Sequence, residues 1–230
     1  MINFELERQK GLLYANMPEH KRLIAKTKMF IEKSLNKVSN PYVACSFGKD
    51  SSVMLHLLLQ KIPDIRVRFA SHPETQLLDN YKRVIAWWIN EYNINLYNIF
   101  CDGGFVKIKH HQRYMLDNVE CDSFFVGIRA EESRGRRISL KKDGSFYKLK
   151  SNNRIKISPL AWWKTKDIWA YTVCNNIPLL DKYQFEGASG RTTSGIARDY
   201  QRETLLSLKQ RDVTRYNKLL QLYPDARNYT

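Results

Sequence analysis

The sequence predicts an α/β protein: a mostly parallel, twisted sheet with helices on both faces, an N-terminal helical arm and a C-terminal helical segment. Three observations point there. Short β-forming apolar runs alternate with stretches of helical periodicity between residues 42 and 128, as βαβ units require. Three polar motifs, CSFGKDSS, ASHPET and RAEESRGRR, fall where those strands end, which is where ligands sit in such sheets. Apolar residues at helical spacing flank the alternating region on both sides.

In chain order, residues 3–38 read as helical with a break near Pro18, carrying Leu23, Ile24, Phe30, Ile31 and Leu35 at helical spacing. Asn40-Pro41 ends this arm. YVACSF (42–47) is a buried strand, and SSVMLHLLLQK (51–61) is a helix apolar nearly all round, so it too should be buried. IRVRFAS (65–71), INLYNIF (94–100) and SFFVGI (123–128) are further strands, and 76–91 is a helix. Residues 105–116 fit neither period. Beyond 137 the segment around Asp143-Gly144 reads as a hairpin, and RIKISPL (154–160) as strand-like. Thr165 is placed to cap a helix from Lys166 to about Asn175, with Asp167 favourable in its first turn. GASGRTTSG (187–195) is a loop, and 198–222 a polar helix with a leucine stripe.

Composition narrows the function. The chain has 230 residues, 43% of them hydrophobic, enough for one sizeable core. No apolar run approaches a membrane span, and MINFELERQK lacks the apolar segment of a signal peptide, so a cytoplasmic protein without membrane partners is expected. Cys45, Cys101, Cys121 and Cys174 form no C-x-x-C pair, and reduced thiols are expected. Cys101, His110, His111 and Cys121 match no common zinc spacing. The net charge is +15, a field that attracts phosphates. It is focused: residues 134–156 hold nine Lys or Arg against one acid, Asp143, where an even spread would give about four cations. That face is a candidate nucleic-acid surface.

CSFGKDSS (45–52) joins the first strand to a buried helix. Unpartnered amides and the macrodipole make such a junction an anion cradle. Gly48 permits close approach of a phosphate, Ser46, Ser51 and Ser52 add hydroxyls, and Lys49 adds charge. Asp50 is out of place beside an anion unless a cation bridges it, an arrangement Mg²⁺ favours. It is not the Walker loop: Val43 stands where glycine is required, and Asp50 where serine or threonine is.

ACSFGKDSS resembles the S-x-G-K-D-S signature of the PP-loop ATP pyrophosphatases, and more narrowly their phosphoadenosine-phosphosulfate (PAPS) reductase branch. That branch includes sulfonucleotide reductases, the small subunit of bacterial ATP sulfurylase and the ATPase of DNA phosphorothioation systems. SHPET (71–75), VGIRAEESRGRR (126–137), SPLAWWKTKDIWAY (158–171) and NNIPLLDKY resemble the branch's later motifs, in order, over about residues 40–185. The resemblance implies an adenine-nucleotide α-hydrolase-like fold. It divides the chain into an arm (1–39), a nucleotide-binding α/β domain (40–185) and a C-terminal loop and helix (186–230).

It also implies roles. Ser46, Phe47, Gly48, Ser51, Ser52 and Gly127 would bind ATP, with Phe69, Ala70 and Ser71 meeting adenine mostly through backbone. Lys49, Asp50, Arg129 and Arg134 would serve catalysis, the arginines on the transferred or leaving anion and Asp50 on Mg²⁺. Glu131 and Glu132 would orient the arginines, and Glu74 would hold metal-bound water or cap a helix. Trp162, Trp163 and Trp169 read as core. Cys45 reads as a small apolar residue. The chain departs from the reductases in its last residues, YPDARNYT, with no cysteine after Cys174. EGASGRTTSGIARDY also lacks the cysteines of iron–sulfur members, so no Fe–S cluster is expected. The expected activity is cleavage of ATP between its α- and β-phosphates, with adenylyl transfer to an unidentified oxyanion. The alternatives are a nucleotide-binding, nucleic-acid-associated regulator without turnover, and a PAPS reductase with an atypical cysteine. A partner subunit or a homo-oligomer is a further expectation.

Overall fold

Pro41–Ala44 (β1), Arg66–Ser71 (β2), Asn95–Phe100 (β3), Ser123–Val126 (β4), Phe146–Lys148 (β5) and Ile155–Ile157 (β6) form one sheet in the order β3-β2-β1-β4-β6-β5. It is seen in a computed structural model that describes residues 3–71, 81–100, 120–190, 202–222 and 224–229. All pairings are parallel except β5 with β6. Tyr42 and Val43 of β1 and Ser123, Phe124 and Phe125 of β4 are buried in succession. Consecutive burial means that both faces of the central strands are covered, which explains their unbroken apolar runs. In β2 burial alternates: Val67, Phe69 and Ser71 face in, while Arg68 lies 5.3 and 5.1 Å from the Tyr42 and Tyr97 rings.

The helical arm is Phe4–Ala15 (α1) and Pro18–Leu35 (α2), parted at Asn16 and Met17. Lys49–Leu59 (α3) is buried at every position but Asp50. Tyr81–Tyr92 (α4), Arg134–Asp143 (α5) and Thr165–Cys174 (α6) follow. His56 of α3 meets the Tyr171 and Tyr92 hydroxyls at 2.9 Å each, tying α3 to α6 and α4. The arm docks along α6. Gly11 fits there because a Cβ would lie 2.8 Å from Val173 Cγ2 and 2.9 Å from Trp169 Cδ1. The Trp169 indole donates to Glu7 O at 2.9 Å, and the Trp163 indole to Thr27 Oγ1 at 2.9 Å.

The structure corrects several local expectations. No hairpin turns at Asp143-Gly144. Ser133 caps α5 by accepting from Arg136 N at 3.2 Å, the helix runs to Asp143, and Gly144 ends it at φ 81°. Asp-Gly here is a helix stop, a position glycine fills as readily as a turn. The antiparallel pair is β5 with β6. Lys164 rather than Thr165 precedes the first turn of α6, and its amide is held by Asp167 Oδ2 at 2.7 Å. Tyr183–Glu186 (α7) is a single turn. The expected long C-terminal helix is two, Arg202–Arg211 (α8) and Val213–Leu222 (α9), because Asp212 caps the second by accepting from Arg215 N at 2.8 Å. Trp163 and Trp169 are core, but Trp162 is 55% exposed.

Candidate nucleotide site

The sheet has a switch point at β1: β2 lies on one side and β4 on the other. Crossovers diverge there, leaving a crevice beyond the strand ends. Ala44 pairs with Val126, so the chain leaving β1 and the chain leaving β4 emerge side by side. CSFGKDSS and GIRAEES therefore meet although roughly eighty residues separate them.

Phe47 turns the first of these segments. It is buried, sits at φ 52°, and packs edge-on against Phe69 with centroids 5.2 Å apart. A phenylalanine in the left-handed region is strained, and its packing holds it there. Gly48, expected to let a phosphate approach closely, has φ −74°. The amides of Gly48, Asp50 and Ser51 have no acceptor among the described residues. Ser51 is turned inward, its Oγ 3.1 Å from Gly48 O and 3.1 Å from Ser46 Oγ. The buried hydroxyls of Ser52 and of Ser71, at the end of β2, have no hydrogen-bond partner among the described residues. Phe69 is packed between Phe47 and the stacked Tyr81 ring, so its side chain is committed to the core, and Ala70 beside it is half-buried.

The charged residues form a closed set. Asp50 Oδ1 accepts from Arg129 Nε at 2.6 Å and Oδ2 from Lys49 Nζ at 3.2 Å. Arg129 is 3% exposed and also donates to Glu131 Oε2 at 2.8 Å and Trp163 O at 3.3 Å. Glu131 accepts further from the Thr165 amide and hydroxyl, and Glu132 from the Arg129 amide at 2.8 Å while pairing with Arg136. Burial opposes the Arg129 charge, but Asp50 and Glu131 outweigh it and hold the guanidinium above its ordinary value. Burial also opposes ionisation of Glu131, and Thr165 and Arg129 reverse this, holding it below the usual carboxylate range. Arg134 is not in this set; it is exposed at the start of α5.

These contacts answer the oddity of Asp50. Its neutralising cations are Arg129 and Lys49, and a Mg²⁺ ion would compete with them for the same two oxygens. No group of three His, Cys, Asp or Glu that could hold a metal occurs among the described residues. Glu74, Cys101, His110 and His111 lie outside the described residues. Cys45 is sealed in the core, where burial pushes its thiol up to about 12, as its reading as a small apolar residue requires.

Two contacts escape sequence reasoning. The Lys49 amide donates to Tyr183 OH at 3.2 Å, and Lys49 Nζ donates to Gly190 O at 2.7 Å. Tyr183 was visible as the tyrosine of NNIPLLDKY; nothing marked Gly190. Gly190 comes this close only without a side chain, since a Cβ would lie 3.0 Å from Glu186 and Tyr183. Gly127, expected at ATP, packs against the α3 backbone: a Cβ would lie 3.0 Å from Ser51 N and Cα and 3.1 Å from Asp50 C. Gly127→Ala should push the first turn of α3 aside, costing about 1–3 kcal/mol in a urea melt. Calorimetry should show nucleotide affinity lost under conditions where the variant is still folded.

The family model described as phosphoadenosine phosphosulfate reductase domain matches residues 40–186. A phosphoadenosine 5'-phosphosulfate reductase of Xanthomonas euvesicatoria pv. vesicatoria is 30% identical over 166 residues, covering 60% of this chain and 64% of that protein. The chain thus spans less than two thirds of that relative's length. Among solved structures, the Candida auris PAPS reductase phosphate complex aligns with a TM-score of 0.54 and 15% identity, over 74% of this chain and 87% of that one. A Candida glabrata FMN adenylyltransferase aligns with a TM-score of 0.54 and 19% identity, over 78% and 66%. Both likenesses are of fold. The chain belongs to the phosphoadenosine phosphosulfate reductase domain family.

Proposed function

We propose that the chain binds ATP with its phosphates on the α3 N-terminus and transfers the adenylyl group to an oxyanion acceptor. The observation that carries this reading is a set of donors near the switch point with no partner among the described residues: three amides of the α3 start and the buried Ser52 and Ser71 hydroxyls. A buried hydroxyl without a partner costs about 1–3 kcal/mol, which a phosphate or ribose oxygen would offset. The acceptor oxygen attacks the α-phosphorus, a new P–O bond forms, the bond to the β-phosphate oxygen breaks, and the electron pair leaves with pyrophosphate. Lys49 would exchange the Gly190 carbonyl for a phosphate oxygen. Arg129 would keep Asp50 neutralised so that the anion is not repelled.

The names of the relatives favour a second reading, reduction of PAPS by a thiol. Thiol placement among the described residues argues against it; Cys101, which follows β3, lies outside them. Cys45 is sealed. Cys121 precedes β4, at the opposite edge of the sheet from the cradle. Cys174 ends α6, about 14 Å along the helix from Thr165, which touches Glu131 at the site.

The test measures pyrophosphate release from ATP and Mg²⁺ with candidate oxyanions, and sulfite release from PAPS with thioredoxin. Lys49→Ala is expected to weaken ATP binding by about tenfold or more, the worth of a charge-assisted hydrogen bond, and to lower pyrophosphate release with it. Unchanged ATP affinity in this variant sinks the phosphate assignment, and ATP binding without release with any acceptor favours a regulator without turnover. Sulfite production would establish the reductase instead.

A further inference from the structure

Lys49 is shut in: its side chain is 2% exposed. The ammonium donates to Gly190 O at 2.7 Å and to Asp50 Oδ2 at 3.2 Å, and it lies 5.5 Å from the centre of the Tyr183 ring. An incoming phosphate meets this charge only if one of those neighbours moves aside. Asp50 stands on α3 and is fixed by Arg129, and Tyr183 is fully buried in the main core. The segment carrying Gly190 is held more lightly. Gly187 leaves the single turn of α7 at φ 61°, and Gly187–Ser189 is a 3₁₀ turn closed by Gly190 N donating to Gly187 O at 3.2 Å. Ser189 Oγ donates to Glu186 O at 3.0 Å. Among the described residues, the hydrogen bond from Lys49 is the one that ties Gly187–Gly190 to anything beyond α7 and itself.

The closed position also works against itself. Glu186 Oε1 is buried without a hydrogen-bond partner among the described residues, and a carboxyl oxygen in that position is destabilising. Gly190 lies against this side chain, where a Cβ would be 3.0 Å from Glu186 Cβ and Oε2. Moving Gly190 away admits water to the carboxyl group. A phosphate oxygen carries charge where the Gly190 carbonyl carries only a dipole, so it is the stronger acceptor for Lys49. We propose that Gly187–Gly190 is a strap, hinged at Gly187, that closes the cradle in the nucleotide-free protein, and that phosphate arriving at Lys49 opens it. Such a gate presupposes the phosphate reading of the α3 start. It lowers the apparent nucleotide affinity in proportion to the fraction of open molecules.

The experiment is amide hydrogen exchange across residues 187–190, with calorimetry on the same samples. Lys49→Met keeps the methylenes and removes the donor. Without ligand, its exchange across the strap should be about tenfold faster than in wild type, the worth of a charge-assisted hydrogen bond. Saturating ATP or inorganic tripolyphosphate should loosen the wild-type strap to the same degree, and adenosine should leave it closed. Gly190→Ala should bind ATP up to about tenfold more tightly, because its Cβ crowds the closed position. The strap is overturned by a Lys49→Met variant that exchanges as wild type, by ATP or tripolyphosphate that binds without loosening 187–190, by loosening with adenosine, or by a Gly190→Ala variant that binds no more tightly. Tripolyphosphate opening the strap where ATP gives no heat would overturn adenylyl transfer and leave the strap standing. Binding of neither would overturn both.

Discussion

Arg129→Ala is expected to lower stability by about 3 kcal/mol and to abolish nucleotide binding. Removing one member of a buried charge pair costs about 3–5 kcal/mol, because the remaining charge loses its partner without regaining water. The lower end applies because Asp50 keeps Lys49 and its side chain is 17% exposed. Glu131 would lose one donor but retain the Thr165 amide and hydroxyl. The nucleotide effect should exceed the stability effect: with Arg129 gone, Asp50 carries excess negative charge next to the three amides that would bind phosphate. Urea denaturation and calorimetry with ATP measure the two separately. The double variant Arg129→Met/Asp50→Asn should recover much of the stability, since a buried ion pair is often no more stable than a neutral replacement. A single variant as stable as wild type would show that the pair carries no structural weight.

Trp163→Ala is expected to cost about 4 kcal/mol, within the range for truncating a buried tryptophan. Trp163 is 1% exposed and connects three parts of the molecule. Its ring packs edge-on toward His20 and Tyr171, with centroids 5.9 Å away in each case. Its indole N–H holds Thr27 on α2, and its carbonyl accepts from Arg129. The loss should therefore reach both the arm and the site. Amide exchange in α2 should accelerate, and nucleotide affinity should fall. Trp163→Phe keeps a ring and the carbonyl but drops the donor, so about 1–2 kcal/mol is expected. The same truncation at exposed Trp162 should leave the urea midpoint in place. Equal destabilisation at the two positions would contradict the burial difference.

That neighbouring pair shows how far the sequence could be read. Trp162 and Trp163 are adjacent tryptophans in one apolar stretch, and periodicity assigned both to the core. The chain here runs through tight turns, with Ala161 N bonded to Ser158 O and Trp163 N to Leu160 O. Neither helical nor strand period applies, so the side facing inward is set by what packs against it. Asp143-Gly144 failed for a related reason: the dipeptide suits a hairpin turn and a helix stop equally, and the capping serine ten residues earlier decided the outcome. Phe47, rather than a glycine, takes the strained backbone of the turn because Phe69, from another strand, packs against its ring.

The sequence alone determined the sheet, the order of strand and helix along it, and the junction at 45–52. Those follow from period, turn residues and spacing, which act over a few positions. Only the tertiary structure decided which charges meet. Arg129 finds Asp50 across 79 positions, and Lys49 finds Gly190 across 141. Local patterning carries no record of such pairs; they exist because parallel strands deliver their ends to one edge of the sheet, where burial forces each charge to take a partner.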